Sequence, residues 1–396
     1  MGSHVAGTVE SYIEELRRLQ SQEDLECDIK ARQNALAVAR KLTRSLEQPE
    51  YVAGEMIFAQ FVPTAARIAV EMNIFTHMVE KQGPITSQEL ASLCPGEEQL
   101  IVRILRVLSS SGIVDEVGER TWEASPVTAA MATEGIAAGY RMVGEMVMAA
   151  AQMGPKYLKE VGYVAPTDPN DGFMQYAFQT KLSSFDLIAS KPSVFKDFNT
   201  FMGRKVGAKT KWLEWYPVQE RLIKDARKDT PLLVDIGGGN GHDVIRFQEI
   251  YPDAGQLILQ DQVSVIASLQ NLPTGIDRMA YDFFTPQPVK GARVYYFHHI
   301  FHDWSDYKSL EILEQVVAAM TPGYSKLLIH DIVMPEIGAL QYHASLDMTM
   351  MCFNGGMERT ATQWRELLGK AGLDILEIWP APEDGAGGMV EAMLMA

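Results

Sequence analysis

The stretch Leu232-Leu-Val-Asp-Ile-Gly-Gly-Gly-Asn-Gly241 runs an apolar strand through an acid into a glycine cluster. Gly237, Gly239 and Gly241 let the backbone turn sharply and approach a ligand closely, where side chains would collide with it. The dinucleotide fingerprint needs a third glycine where this chain has His242, and the phosphate-cradling loop needs Gly-Lys-Ser/Thr where it has Gly241-His242-Asp243. The loop therefore suits a ligand that brings no phosphate to the following helix, with Asp235 placed to receive a positively charged group. A glycine-rich turn alone also occurs in many loops without a ligand.

Other polar residues stand at the ends of apolar runs. Asp261 offers a carboxylate able to accept two hydrogen bonds from ribose hydroxyls, or to cap the next helix. Asp282-Phe283 pairs an acceptor with a flat face, as recognition of an adenine amino group and ring requires. Further on comes Phe297-His-His-Ile-Phe-His-Asp-Trp-Ser-Asp306. Histidine takes a proton near neutral pH without large tuning, and His302 falls where a sheet enzyme gathers its catalytic groups. Asp303 is expected to cap a helix starting near Ser305. Three neighbouring histidines raise metal binding, but no Cys or further His at helical ligand spacing completes a zinc site, so no metal is expected.

These residues need a scaffold. Leu232–Val234, Leu257–Gln260, Val294–Phe297 and Leu327–Ile329 are short apolar runs, each followed by a polar turn and a helical pattern. That alternation predicts a mostly parallel α/β sheet covered on both faces, with ligands beyond the carboxyl ends of its strands. Ile375–Trp379 and Met389–Leu394, joined by the Pro/Gly-rich Pro380 to Gly388, predict a closing antiparallel pair.

Upstream, Val9 to Leu46 reads as helical, with Tyr12, Ile13, Leu16 and Leu19 on one face that must meet either its own domain or a partner subunit. Thr86 or Ser87 ahead of Glu89 starts a capped helix, and Leu100–Leu108 is amphipathic. Ile113–Val117 and Thr121-Trp122 then suggest a two-stranded wing, so the whole resembles a winged helix. Ala137 to Phe201 is rich in methionine and aromatics, either ordinary core or a pocket for a flat apolar molecule.

The chain has 396 residues, 47% hydrophobic and 22% charged, which fits a soluble globular protein of about two domains. Its formal net charge of -16 repels a phosphate backbone, and Glu97, Glu98, Asp115, Glu116, Glu119 and Glu123 surround the wing with negative charge. Nucleic-acid binding, including a winged-helix regulator with a ligand-sensing second domain, is therefore disfavoured. No apolar run is long enough to cross a bilayer. Cys27, Cys94 and Cys352 lack metal or disulfide spacing, which fits a reducing, cytoplasmic setting. Met1-Gly-Ser-His4 reads as a vector remnant.

Taken in order, Val234-Asp-Ile-Gly-Gly-Gly-Asn-Gly241, Leu259-Gln-Asp261, Tyr281-Asp-Phe283, His302-Asp-Trp-Ser-Asp306 and Gly355-Gly-Met-Glu-Arg-Thr360 resemble the S-adenosylmethionine-dependent O-methyltransferases of plant and fungal secondary metabolism, nearly along the whole chain. The resemblance implies a class I methyltransferase-like Rossmann sheet over residues 230–396, a helical connector over 136–229 contributing to the substrate pocket, and a mostly helical, winged-helix-like dimerisation domain over 5–135. It implies S-adenosylmethionine as cofactor, S-adenosylhomocysteine as product, a small aromatic or polyketide-like substrate and a homodimer. The loop Gly237 to Gly241 would lie against the methionine part, Asp261 would hold the ribose, and Asp282 with Phe283 the adenine. His302 would be the general base, oriented by Glu358. Asp331 stands where the family usually has a glutamate, and His298 where a Lys or Arg often reaches toward the adenine. Met142, Met146, Met350, Met351 and Phe353 would wall an apolar cleft. The same scaffold also carries fungal relatives that keep the cofactor bound and catalyse dehydration or pericyclic cyclisation, and cofactor motifs do not separate the two reactions.

Overall fold

A parallel sheet buried on both faces needs apolar side chains pointing both ways from each strand, and the strands after residue 232 supply them. The computed structural model describes residues 8–203, 211–269, 272–381 and 386–396. Met1-Gly-Ser-His4 and the expected domain start at residue 5 lie outside them. The chain divides into two compact units, the first ending at Arg141 and the second running from Met142 to Ala396.

The first unit is mainly helical. Helix Val9–Gln22 opens at Thr8, whose side chain accepts from the Ser11 amide, and Ile29–Leu46 opens at Asp28, which accepts from Lys30 and Ala31. The expected capping box forms between Thr86 and Glu89. Helix Glu98–Ser110 buries Ile101, Val102, Ile104, Leu105 and Leu108 in a core with Phe75, Met78 and Trp122. The expected hairpin forms from Asp115–Gly118 and Thr121–Glu123, and Ile85–Thr86 adds a third antiparallel strand too short to show a period. From the amino-terminal stripe Leu19 is buried and Ile13 is 37% exposed. Helix Pro49–Phe58 buries no residue, and Tyr51, Met56, Ile57 and Phe58 are each at least 64% exposed.

The second unit holds a seven-stranded sheet. Its strands are β1 Leu233–Ile236, β2 Leu257–Asp261, β3 Ile276–Ala280, β4 Val294–His298, β5 Lys326–Asp331, β6 Asp374–Trp379 and β7 Gly388–Met393. They lie in the order β6-β7-β5-β4-β1-β2-β3, with β1 to β5 parallel and β7 antiparallel to both of its neighbours. Alternate residues feed the two faces. Tyr295, Phe297, Leu327 and Ile329 pack with Phe301, Ile312 and Trp364, whereas Tyr296 and Leu328 pack with Trp212 and Phe247. β3 carries no apolar run because it is an edge strand with one buried residue, Ile276. No helix among the described residues is long and apolar enough to cross a membrane.

Two local devices complete the frame. A π-helical turn at Val143–Val147 interrupts the helical run from Glu134 to Glu160, and the Cys352 thiol donates to the carbonyl of Val147 at 3.3 Å. Val333–Met334, just beyond β5, pairs in parallel with Arg359–Thr360, with Val333 opposite Arg359. That short ladder fastens the segment bearing Glu358 beside the exit of β5.

Candidate active site

The glycine loop leaves β1 with Gly237, Gly239 and Gly241 all at positive φ, from 56° to 76°. A β-carbon on Gly237 would stand 2.6 Å from Ile300 Cδ1, and one on Gly238 would stand 2.6 Å from Asp235 Cγ. Gly238 is thus as constrained as the glycines singled out from sequence. A β-carbon on Gly239 would meet nothing within 4 Å, so the loop borders open space there. Its amide donates to Asp261 Oδ2 at 2.8 Å, tying the loop to the end of β2. The other oxygen of Asp261 accepts from the Gln262 amide at 2.7 Å. Gln262 holds the N-cap position of the next helix without a side-chain hydrogen bond to it, so Asp261 serves the loop rather than that helix.

Asp235 lies beneath the loop, 1% exposed, and neither of its oxygens has a hydrogen-bond partner among the described residues. Burial, then the charges of Asp243 and Asp261, push its carboxyl well above the usual range. Asp282 is exposed at the end of β3 and accepts from the Phe284 amide at 3.0 Å. Half-buried Phe283 sets its edge against Trp304, 6.0 Å between ring centres. His298 is held by Asp243, Nδ1 to Oδ2 at 2.6 Å, and stacks on His330 at 3.9 Å and 17°. His330 in turn faces the Tyr296 hydroxyl at 3.0 Å. Asp243 and His330 were not given a role from sequence, although Asp243 closes the quoted Gly241-His242-Asp243 and His330 adjoins Leu327–Ile329.

Beyond β4 the chain forms a single 3-10 turn, Phe301–Asp303, carrying His302. His302 Nδ1 lies 2.8 Å from Glu358 Oε1, and Nε2 lies 3.7 Å from Asp303 Oδ1. Asp303 is therefore not the helix cap expected of it. Ser305 takes that position, with its hydroxyl donating to the Thr167 carbonyl at 2.7 Å, while Asp303 turns its charge toward the imidazole. Burial works against the His302 imidazolium, but the charge of Asp303, the hydrogen bond to Glu358 and the charge of Asp331 outweigh it and raise its pKa to about 10. Asp331 closes β5 with its carboxylate buried and 3.6 Å from His299 Nδ1. His302, Glu358 and Asp331 thus meet, although 56 residues separate the first two.

Arg359 holds this turn from behind and was not assigned a role from sequence. Fully buried, it donates to the Phe301 carbonyl at 2.9 Å, the Trp304 carbonyl at 2.8 Å and Asp306 Oδ1 at 3.1 Å. The Met357 amide donates to the His302 carbonyl at 2.9 Å, and Asn354 donates to the Asp303 carbonyl at 3.0 Å. The expected pocket residues divide. Met142, Met146 and Phe353 belong to a packed cluster with Phe173 and Met174, and Met351 packs against it. Met350 and half-buried Met351 end helix Gln341–Asn354, and their carbonyls accept from Gly356 and Gly355. Phe353 meets Phe185 edge-on at 5.0 Å, and Phe185 lies 6.2 Å from Trp304, so aromatic rings run from that cluster toward Phe283.

Comparison with known proteins adds to this geometry. Residues 171–374 match the family described as the O-methyltransferase domain, and residues 55–134 match the O-methyltransferase dimerisation domain. The chain is 45% identical over 367 residues to O-methyltransferase penC of Penicillium thymicola, covering 92% of each chain. Its structure is similar to that of LepI in complex with SAM, with a TM-score of 0.87 and 30% identity over 98% of this chain and 99% of the other. It is also similar to a structure described as a pericyclic reaction enzyme, with a TM-score of 0.86 and 30% identity over 98% and 99% of the two chains.

Proposed function

Because this chain belongs to the O-methyltransferase family, with its helical dimerisation domain and mostly parallel catalytic sheet, we propose that it transfers the methyl group of S-adenosylmethionine to a hydroxyl of a small aromatic or polyketide-like metabolite, with His302 as general base. The observation that carries this reading is His302 held at Nδ1 by Glu358 at 2.8 Å, beside the exit of β5.

The residues fit the cofactor. Open space over Gly239, the carboxylate of Asp261 with acceptor capacity to spare, and the exposed pair Asp282-Phe283 offer a place for the methionine part, a ribose and an adenine in turn, with Asp235 supporting the loop from beneath. Bound there, the cofactor would supply an electrophilic methyl group. Asp261 would hold it beside the loop, with His298 flanking the loop from β4 and Phe283 providing a ring face. His302 takes the hydroxyl proton at Nε2, and Glu358 fixes the imidazole so that Nδ1 carries its proton inward. Asp303 and Asp331 stabilise the imidazolium that results. Met350, Met351 and the aromatic run through Phe353 present the apolar wall, with Met142 and Met146 behind it.

Exposed Met56, Ile57 and Phe58 at the start of the dimerisation domain, with Tyr51 just ahead of it, support a homodimer, since so apolar a surface calls for a partner. The division at residues 135 and 229, the winged-helix likeness and a cytoplasmic setting belong to the same proposal.

A second reading is a pericyclase that binds the cofactor without spending its methyl group. The raised pKa of His302 favours it, because an imidazolium donates hydrogen bonds to a substrate carbonyl, and the similarity to a pericyclic reaction enzyme points the same way. Mass spectrometry of products formed from candidate phenols separates the two. A gain of one methyl with S-adenosylhomocysteine supports transfer; an isomer of unchanged mass overturns it.

A further inference from the structure

We propose that His299, His302 and Asp331 form a binding site for a divalent transition-metal ion of the zinc type, and that the ion blocks the pocket by occupying the proton-accepting nitrogen of His302. Spacing within the histidine segment argues against a metal, because the third ligand is not in that segment. It comes from the end of β5, brought alongside by the register that sets His298 opposite His330.

One donor atom from each of the three residues lies within 4.8 Å of the other two. Bonds to zinc of 2.0–2.2 Å set the ligands of a tetrahedral ion about 3.3 Å apart. His299 Nδ1 and Asp331 Oδ1 are already 3.6 Å apart, and His302 has a donor within 4.8 Å of both to complete the set. Two imidazoles and one carboxylate suit zinc, nickel or ferrous iron and leave a further position for water or a substrate oxygen.

Three further observations point to a ligand. Asp331 is 1% exposed, yet neither of its oxygens has a hydrogen-bond partner among the described residues, where buried polar groups are normally satisfied. The Nδ1 atom of His302 is bonded to Glu358, which leaves Nε2 outward, the carboxylate-imidazole arrangement that orients histidine ligands on metals. The His299 side chain is 46% exposed and supplies an entrance. Its backbone stands at φ 53°, uncommon for a residue with a β-carbon, and this turns its ring alongside His302, 5.1 Å between centres and 29° between planes. Asp303 and Glu358 add negative charge around the same point.

The binding half of the inference is independent of methyl transfer, because its readout is binding, and the blocking half rests on His302 as the general base. Full-length protein stripped with a chelator is titrated with Co2+ followed by its visible spectrum, and with Zn2+ in competition with a chromophoric chelator. One tight equivalent is expected, with cobalt bands of a nitrogen-oxygen site and no thiolate charge-transfer band from exposed Cys27. His299→Ala and Asp331→Asn are expected to lose that equivalent while circular dichroism shows a folded chain, and Glu358→Gln to weaken it about 10–100-fold. His299→Gln stands in if the alanine variant does not fold. Zinc should stop turnover of the native protein and a chelator restore it. Absence of a stoichiometric equivalent, a thiolate spectrum, or unchanged affinity in folded His299 and Asp331 variants overturns the proposal.

Discussion

Gly356 lies so close against His302 that a β-carbon on it would collide with the His302 carbonyl oxygen and the backbone of Asp303. Because the obstacle is backbone, no side-chain rotation relieves it. Gly356→Ala should cost about 1–3 kcal/mol of stability, as overpacking does, and shift His302 relative to Glu358. Turnover should fall by about 10²-fold, the usual consequence of a 1 Å misplacement. Gly369→Ala is the control: it meets nothing within 4 Å in helix Ala361–Lys370 and should be neutral or slightly stabilising. Urea unfolding with steady-state kinetics checks both; equal behaviour of the two variants removes the argument.

Arg359→Lys keeps the charge and loses the planar fork that reaches the carbonyls of Phe301 and Trp304 together with Asp306. Each buried acceptor left unpaired costs about 1–3 kcal/mol. The expected outcome is a lower kcat with cofactor affinity preserved, since Arg359 contacts the turn of His302 and none of the glycine loop. Calorimetric cofactor binding beside initial rates tests it, and a matching loss of cofactor affinity would point to general disorder of the site.

The cofactor and base assignments separate by the same two measurements. His302→Ala should lower turnover by about 10²–10⁴-fold, the range of general-base catalysis, and leave cofactor affinity nearly intact. Asp261→Ala should weaken cofactor binding, because it removes the group that also anchors the Gly239 amide. Turnover retained in the His302 variant removes the base.

A pH prediction comes from the far side of the sheet. Glu391 on β7 is buried against Lys326 at 2.7 Å and Arg221 at 2.9 Å. Burial raises its pKa, but the hydrogen bonds and charges of Lys326 and Arg221 outweigh that and bring it below the ordinary 4.5. A carboxyl with a depressed folded-state pKa contributes stability above about pH 4.5 and loses it as pH falls through the folded value. Glu391→Gln should therefore cost about 3–5 kcal/mol at neutral pH by leaving the charge of Lys326 buried without its counter-ion, held only by the Arg221 carbonyl among the described residues, with the deficit shrinking as the pH drops below 4.5. Denaturation at several pH values reads this directly, and a deficit constant with pH would count against it.

The elements legible in the sequence are those whose signal is local. Leu257–Asp261 and Val294–His298 are apolar enough to read as central strands, and the box at Thr86 and Glu89 states its own helix start. β3 is hidden because an edge strand needs only one buried side chain. Asp303 reads as a cap because aspartate is a good one. What displaces it is a contact from Arg359, 55 residues away from Trp304, which draws the turn tight and leaves Ser305 to start the helix. The meeting of Asp331 with His299 and His302 depends on the register of β4 against β5, which local periodicity does not encode. Order and spacing of motifs gave the family, and through it Glu358, a pairing that residue types alone do not suggest.

The sheet order also has a bearing on how such a protein changes over time. Asp235, the glycine loop, Asp261, Asp282 and Phe283, most of the residues proposed to hold the cofactor, lie at or beyond the ends of β1, β2 and β3, while His302 and Asp331 lie at or beyond the ends of β4 and β5 on the opposite side of β1, with His298 at the join. Mutations can therefore accumulate on one half of the sheet while the other half stays under selection for the same ligand. A descendant can inherit the ligand as a fixed fitting and acquire a new reaction beside it, so shared cofactor residues trace ancestry along this lineage more faithfully than they trace chemistry.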